Sequence, residues 1–396
     1  MNMDTFILRQ KDHNVALLLI DKDGEIHSGK LLDGVRAPLC STDDIRSVYK
    51  WWKDRAIPEG RERLSELLKQ FGCISPKELL LKNLGLSLTD TYWICPEYYG
   101  ELEFKDVNLF EHGGDSLGFH DAEGRIHYGT SPNAAVGGSL DKEAVKKDGN
   151  WYLEKRFNSK YPDGQQNINE VFASRISELQ GWREFVPYST KVSERGVCEK
   201  AVCKYFTSIN AELISAYDIT GGSGLRKDYN TEEELERFVG RCVSGGLDEE
   251  YVRHFLDYMI ALDYITTNSD RHWRNFGLLR DPESLKYISF APIFDNGNSM
   301  FFDSPYVMKR TALVRLKNTG LAEWEIDRLK LIKDKNVIKY DLLPSPEEVK
   351  SFYMEYGLNE YRADQISESY NNKLQLFSDF QHGVRISFAH EMGDDL

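Results

Sequence analysis

No stretch of this chain approaches the ~20 consecutive apolar residues needed to span a bilayer. The opening Met1-Asn-Met-Asp-Thr-Phe-Ile7 has no basic region leading into an apolar one, so neither a membrane anchor nor a secretory signal is expected. Cysteine is sparse: Cys40, Cys73, Cys95, Cys198, Cys203 and Cys242, with no CxxC pair. That disfavours a zinc site and a disulfide framework, and predicts reduced, buried thiols in a cytoplasmic protein. A basic excess is missing too. The formal net charge is -14, whereas gripping a nucleic-acid backbone requires concentrated lysine and arginine. Neither nucleic acid nor membrane is expected as a direct partner. There is no internal repeat, no low-complexity tract, no Walker A ending and no GxGxxG loop.

What is present is ordinary folded material. The 396 residues are 41% hydrophobic and 29% charged, enough for two domains or for a two-lobed core with an extension. Three regions differ in character. Residues 1–110 read as mixed α/β: a strand at Val15–Ile20, a turn at Asp21–Gly24, and helices over Asp43–Lys53 (Thr42 as N-cap) and Glu59–Gln70. A third helix opens at Ser75-Pro-Lys-Glu78 with a capping box, and Leu86–Cys95 is extended. Residues 111–207 are glycine- and strand-rich, with strands at Trp151–Arg156, Phe185–Tyr188 and Val197–Cys203 and one helix over Asn167–Leu179. From 208 to 396 helices dominate. A stripe of Val252, Phe255, Leu256, Met259 and Ile260 marks a helix over Glu249–Ile265, and further helical segments fall at Ala322–Leu331, Pro346–Tyr356 and Ala363–Phe380.

The chemistry concentrates after that striped helix, in Asn268-Ser-Asp-Arg-His-Trp-Arg-Asn275, followed by Ala291-Pro-Ile-Phe-Asp-Asn-Gly297. Phosphoryl transfer calls for one carboxylate to orient the attacking hydroxyl and accept its proton. It also calls for an Asn and a second carboxylate to hold the magnesium that bridges ATP's phosphates. Asp270, Asn275 and Asp295 stand in that order. Lys155, near the end of a short strand, is placed to pair with the α- and β-phosphates, with Glu170 on the next helix as its partner. Glycines at Gly137 and Gly138 would let backbone N–H groups approach phosphate, with Lys142 adding charge.

Each residue also has an ordinary reading. Asp270 can cap a helix, His272 can sit satisfied in a core, Asp295-Asn-Gly297 can be a plain turn, and Lys155 and Glu170 can be solvated charges. A histidine-based metal centre needs a second histidine, and the nearest upstream, His254, belongs to a separate helix. The ordered combination is what favours chemistry.

Taken together, Asn268-x-Asp-Arg-His-x-x-Asn-Phe-Gly277 and Ala291-Pro-Ile-Phe-Asp-x-Gly297 resemble the HipA family of bacterial serine/threonine kinases. The likeness runs over roughly residues 115–385, with Lys155, Asn169-Glu170 and Cys203-Lys-Tyr-Phe206 as further matching pieces. The resemblance implies an α+β, bilobal protein-kinase-like fold: a strand-rich small lobe over 111–207, a helical large lobe over 208–396, and a mixed α/β extension before them. It implies ATP and Mg2+ as cofactors and a protein serine or threonine as acceptor. Asp270 would be the catalytic base, with His272 supporting the γ-phosphate end, and Asn275 and Asp295 would be the metal ligands. Lys155 and Glu170 would hold the phosphates, Lys142 and Gly138 would lie in the glycine-containing loop, and Phe206 would lie near adenine. An antitoxin-like regulatory protein is a further implied partner. Residues 1–110 depart from the family's usual N-terminal subdomain. The family's regulatory serine has no secure equivalent, Thr130, Ser131 and Ser139 being the candidates. The Asp-Arg-His-x-x-Asn string also resembles the catalytic loop of phosphoinositide kinases, which leaves a small-molecule acceptor open, and an inactive kinase-fold binding protein is the third reading.

Overall fold

A computed structural model describes residues 3–38, 44–113, 116–120, 127–135, 141–157, 164–222 and 231–394. The chain forms two compact units, neither continuous in sequence. The first comprises Met1–Leu153, Tyr205–Gly222 and Leu278–Ser289; the second comprises Glu154–Lys204, Ser223–Gly277 and Phe290–Leu396.

The first unit is built on a four-stranded antiparallel sheet in the order Ile26–Leu31, His13–Asp21, Met3–Gln10, Tyr92–Pro96. Phe6, Leu8, Val15, Leu18, Ile20 and Ile94 from these strands are buried against Trp52, Leu80, Leu81 and Leu84. The expected turn after the second strand is made by Gly24, at φ +84°, where any Cβ would run into the Lys77 carbonyl. The first helix spans Ile45–Arg55 and is capped by Asp44, which accepts from the Arg46 N–H; Thr42 lies outside the described residues. The second starts only at Leu64, because Arg63 stands in the left-handed region at φ +58° and breaks the segment expected from Glu59. In the third, Ser75 caps the Glu78 N–H, while the Glu78 carboxylate reaches past the cap to the Ile74 N–H at 2.7 Å. Of the extended stretch expected at Leu86–Cys95, only Tyr92–Pro96 is a strand.

The second unit is mostly helical: Gln166–Leu179, Thr231–Ser244, Glu249–Thr266, Pro346–Glu355 and Glu360–Gln381. The Glu249–Thr266 helix buries Val252 and every residue from Phe255 to Thr266, more than the one face its apolar stripe requires. Phe255 stacks on Phe290 at 3.8 Å, and Tyr258 stacks on Trp182 at 3.9 Å. Asp248 caps its start, and Thr267 ends it in the left-handed region at φ +56°, turning the chain into the loop that carries Asp270. The strand expected at Phe185–Tyr188 is reduced to a single bridge between Phe185 and Ile293, consistent with Pro187 lacking a donor. The helix expected at Ala322–Leu331 is a short 3-10 turn at Glu325–Asp327 followed by one helical turn at Arg328–Leu331. The preceding segment folds back so that Lys317 bridges Trp324.

The five described cysteines are buried free thiols, and burial pushes those of Cys198 and Cys242 up to about 12. Among the described residues no helix is long and apolar enough to cross a membrane.

Candidate active site

Lys155, the last residue of the Asn150–Lys155 strand, is 3% exposed. Its ammonium donates to Glu170 Oε1 at 2.6 Å and to Asp295 Oδ1 at 2.9 Å. Burial by itself would depress the lysine. The carboxylates of Asp295 and Glu170 outweigh it and hold the ammonium well above its ordinary range, so it stays charged. Tyr188 covers it, the ammonium lying 5.4 Å from the ring centroid. Glu170 sits on the Gln166–Leu179 helix and uses its second oxygen to accept from the Asn296 N–H at 2.8 Å. Its neighbour Asn169 donates to the carbonyls of Gly297 and Ser299 at 2.9 and 2.7 Å. One helix therefore grips both the lysine and the loop that carries Asp295.

That loop is shaped for the purpose. Asp295 adopts φ +61°, a conformation most side chains avoid and Asp tolerates better than most. Its side chain is about one third exposed, whereas Glu170 is at 1%. The residue held in an uncommon conformation is also the one open to solvent.

Asp270 lies on a second loop. Its Oδ2 accepts from Asn298 Nδ2 at 2.9 Å and its Oδ1 from the Thr319 hydroxyl at 2.8 Å. Its backbone carbonyl accepts from Asn275 Nδ2 at 2.9 Å. With the amide nitrogen so used, the Asn275 side-chain oxygen is the atom left to meet a ligand. His272 is partly buried; its N–H donates to the Asp270 carbonyl at 2.8 Å, and its Nδ1 accepts from the Arg274 N–H at 3.2 Å.

Arg271, fully buried, fastens the two loops together. It makes a forked pair with Asp263 at 2.9 and 3.0 Å, then donates to the carbonyls of Asn275 and Phe294 at 2.6 and 2.5 Å and to Asn296 Oδ1 at 2.6 Å. Burial opposes its charge, but Asp263 more than compensates and raises the guanidinium above its usual value. Because Phe294 and Asn296 flank Asp295, this one side chain fixes the second carboxylate loop on both sides. Asp263 also holds Asn268, whose side-chain oxygen in turn accepts from the Asp270 N–H.

Lys155, Glu170, Asp270, His272, Asn275 and Asp295 all belong to this one bonded assembly in the second unit. Lys142 and Phe206 belong to the first unit. Lys142 opens the Lys142–Lys147 strand, with its carbonyl accepting from Arg61 at 2.6 Å, and Phe206 follows the Cys198–Lys204 strand. Gly138 lies outside the described residues. Sequence reasoning missed Arg271, Asn296, Asn298 and Thr319. It also passed over Asp263, although an acid inside an otherwise apolar helical stripe is itself a signal of a buried partner.

No protein-family model matches the sequence, and no curated protein matches it. Solved structures do. A chain of the Shewanella oneidensis MR-1 toxin–antitoxin complex of HipA, HipB and its operator DNA aligns over 96% of this chain and 99% of its own length. Its identity is 12% and the TM-score 0.51. The Helicobacter pylori proinflammatory kinase CtkA aligns over 66% of this chain and 94% of its own, with 16% identity and a TM-score of 0.46. The Shewanella likeness spans nearly the whole of both chains, and by it the chain has an α+β, kinase-like fold of the HipA kind.

Proposed function

We propose that the protein is an ATP- and magnesium-dependent kinase that transfers the γ-phosphate to a serine or threonine hydroxyl of a protein. The observation that carries this reading is the buried Lys155 ammonium shared between Glu170 and Asp295, on a loop that Arg271 ties to the loop of Asp270. A bare structural ion pair needs no such coupling between a strand end, a helix and two loops.

In this reading Lys155 supplies fixed positive charge to the α- and β-phosphates while Glu170 holds it in place. Asp270, with its carboxylate oriented from both sides, accepts the hydrogen bond of the acceptor hydroxyl and takes its proton as the oxygen attacks the γ-phosphorus, whose bond to the β,γ-bridging oxygen breaks to release ADP. Asn275 and Asp295 offer the hard oxygen atoms, few in number, that magnesium prefers when phosphates and water complete its shell. The ion, when bound, would neutralise charge on the bridging phosphate oxygens. His272 would support the γ-phosphate end. Lys142, Gly138 and Phe206 extend the nucleotide site by resemblance only, as does a protein partner of the antitoxin kind.

The test is incubation of the purified protein with γ-labelled ATP, Mg2+ and a bacterial lysate. Label on serine or threonine of a lysate protein is expected, and should be abolished in Asp270→Asn and Asp295→Asn variants that remain folded at the assay temperature, as a cooperative thermal unfolding transition above it shows. Label in small molecules instead would move the acceptor class. Full turnover by either variant would overturn the assignment of roles.

A further inference from the structure

The two oxygens of the Asp270 carboxylate are held from different places. Asn298, three residues beyond Asp295, holds Oδ2. Thr319 holds Oδ1 from a segment outside both signature loops. An aspartate side chain has only two torsions, so a donor on each oxygen fixes both.

Thr319 is exposed, yet nothing about it is loose. Its N–H donates to the Ser269 carbonyl at 2.9 Å, and its single hydroxyl proton lies between that carbonyl at 3.1 Å and the nearer Asp270 Oδ1 at 2.8 Å. The next residue, Gly320, lies so close to Arg271 that a Cβ there would come within 2.5 Å of the Arg271 carbonyl oxygen. The residue before it, Asn318, donates to Glu325 Oε2 at 2.8 Å. Glu325 is itself buried between Lys373 at 2.6 Å and Arg328 at 3.2 Å. The segment is thus anchored in the core behind and pressed against the Asp270 loop in front.

Resting on the kinase reading above, we propose that Thr319 is a positioning residue for the transfer step. It turns the Asp270 carboxylate so that an acceptor hydroxyl meets it along the attack line. Each carboxylate oxygen has two lone-pair sites, so the Thr319 bond orients Asp270 and still leaves room for the acceptor.

The experiment uses the full chain with γ-labelled ATP, Mg2+ and the labelled lysate protein, comparing Thr319→Val, Thr319→Ala and Thr319→Ser. Valine keeps the shape and removes the donor; serine keeps the donor. The initial rate at saturating Mg-ATP should fall on the order of 10- to 100-fold in the valine and alanine variants. The Mg-ATP concentration giving half-maximal rate should change by less than about two-fold, since Lys155 and the metal ligands are untouched. Serine should restore most of the rate. A purely structural role would instead lower the thermal midpoint and the rate together, with serine and alanine alike. Wild-type rate in Thr319→Val overturns the proposal while the kinase reading stands, and so does label appearing on Thr319 itself. Absence of transfer by the wild-type chain to any acceptor removes both.

Discussion

Arg271 and Asp263 face each other as a closed fork, Nε to Oδ2 and Nη2 to Oδ1, with neither side chain more than 1% exposed. Removing one member of a buried pair strands the other, at about 3–5 kcal/mol. Arg271→Met is therefore expected to lower unfolding free energy by that order. Arg271→Lys should cost less, because it keeps the charge while losing the planar fork and the bonds to Phe294 and Asn296. Urea unfolding of the two variants checks the ranking, and equal stability of Arg271→Lys and wild type would show that the fork is dispensable.

Asp295 and Glu170 share one lysine but occupy different surroundings, and their variants should part accordingly. Asp295 is partly exposed and sits at φ +61°. Asparagine accepts that conformation, whereas alanine in the left-handed region pays roughly 1–2 kcal/mol. The expected order of stability is wild type, then Asp295→Asn, then Asp295→Ala. Glu170→Gln, at a site 1% exposed, replaces a charge beside a buried ammonium and should be more destabilising than Asp295→Asn. Thermal midpoints of the three variants decide. If Glu170→Gln proves the milder, Asp295 is the principal counter-charge of Lys155.

Much of this assembly was legible in the sequence because its parts are local. The Glu249–Thr266 helix announces itself by its stripe, and its end delivers residues 268–275 as a loop. A strand ending in Lys155, followed by a helix beginning near Glu170, makes the lysine–glutamate pairing a short step. What was not legible depends on contacts across long intervals. Nothing local says that Thr319 will reach Asp270, since the 317–324 fold-back is tied down by Asn318 donating to Glu325, which itself pairs with the distant, buried Lys373. Nothing local says that Arg63 takes a left-handed conformation and delays a helix by five residues relative to Glu59. Propensity and pattern describe neighbours along the chain, and tertiary partners overrule them where a buried charge must be satisfied.

Lys373 is such a charge. It is fully buried, 2.6 Å from Glu325 and 3.5 Å from the centroid of the Tyr264 ring. Burial pushes its ammonium down to about 8 in spite of Glu325. An unfolded lysine titrates near 10.4. Between about 8 and 10.4 the unfolded chain therefore holds more protons at this site than the folded one, and stability gains from this group as pH rises through that window. Below about 8 both states are protonated, and the group contributes a constant penalty with no slope. Replacing it by methionine removes the titration and keeps most of the volume. Arg328, 3.2 Å from Glu325, remains in the variant as a partner of that carboxylate. The expected result is that wild-type unfolding free energy, measured in urea at pH 8.0 and 9.5, rises relative to Lys373→Met by roughly 1–2 kcal/mol. Parallel stability curves over that interval would mean that the folded lysine titrates where the unfolded one does, and that Glu325 fully offsets its burial.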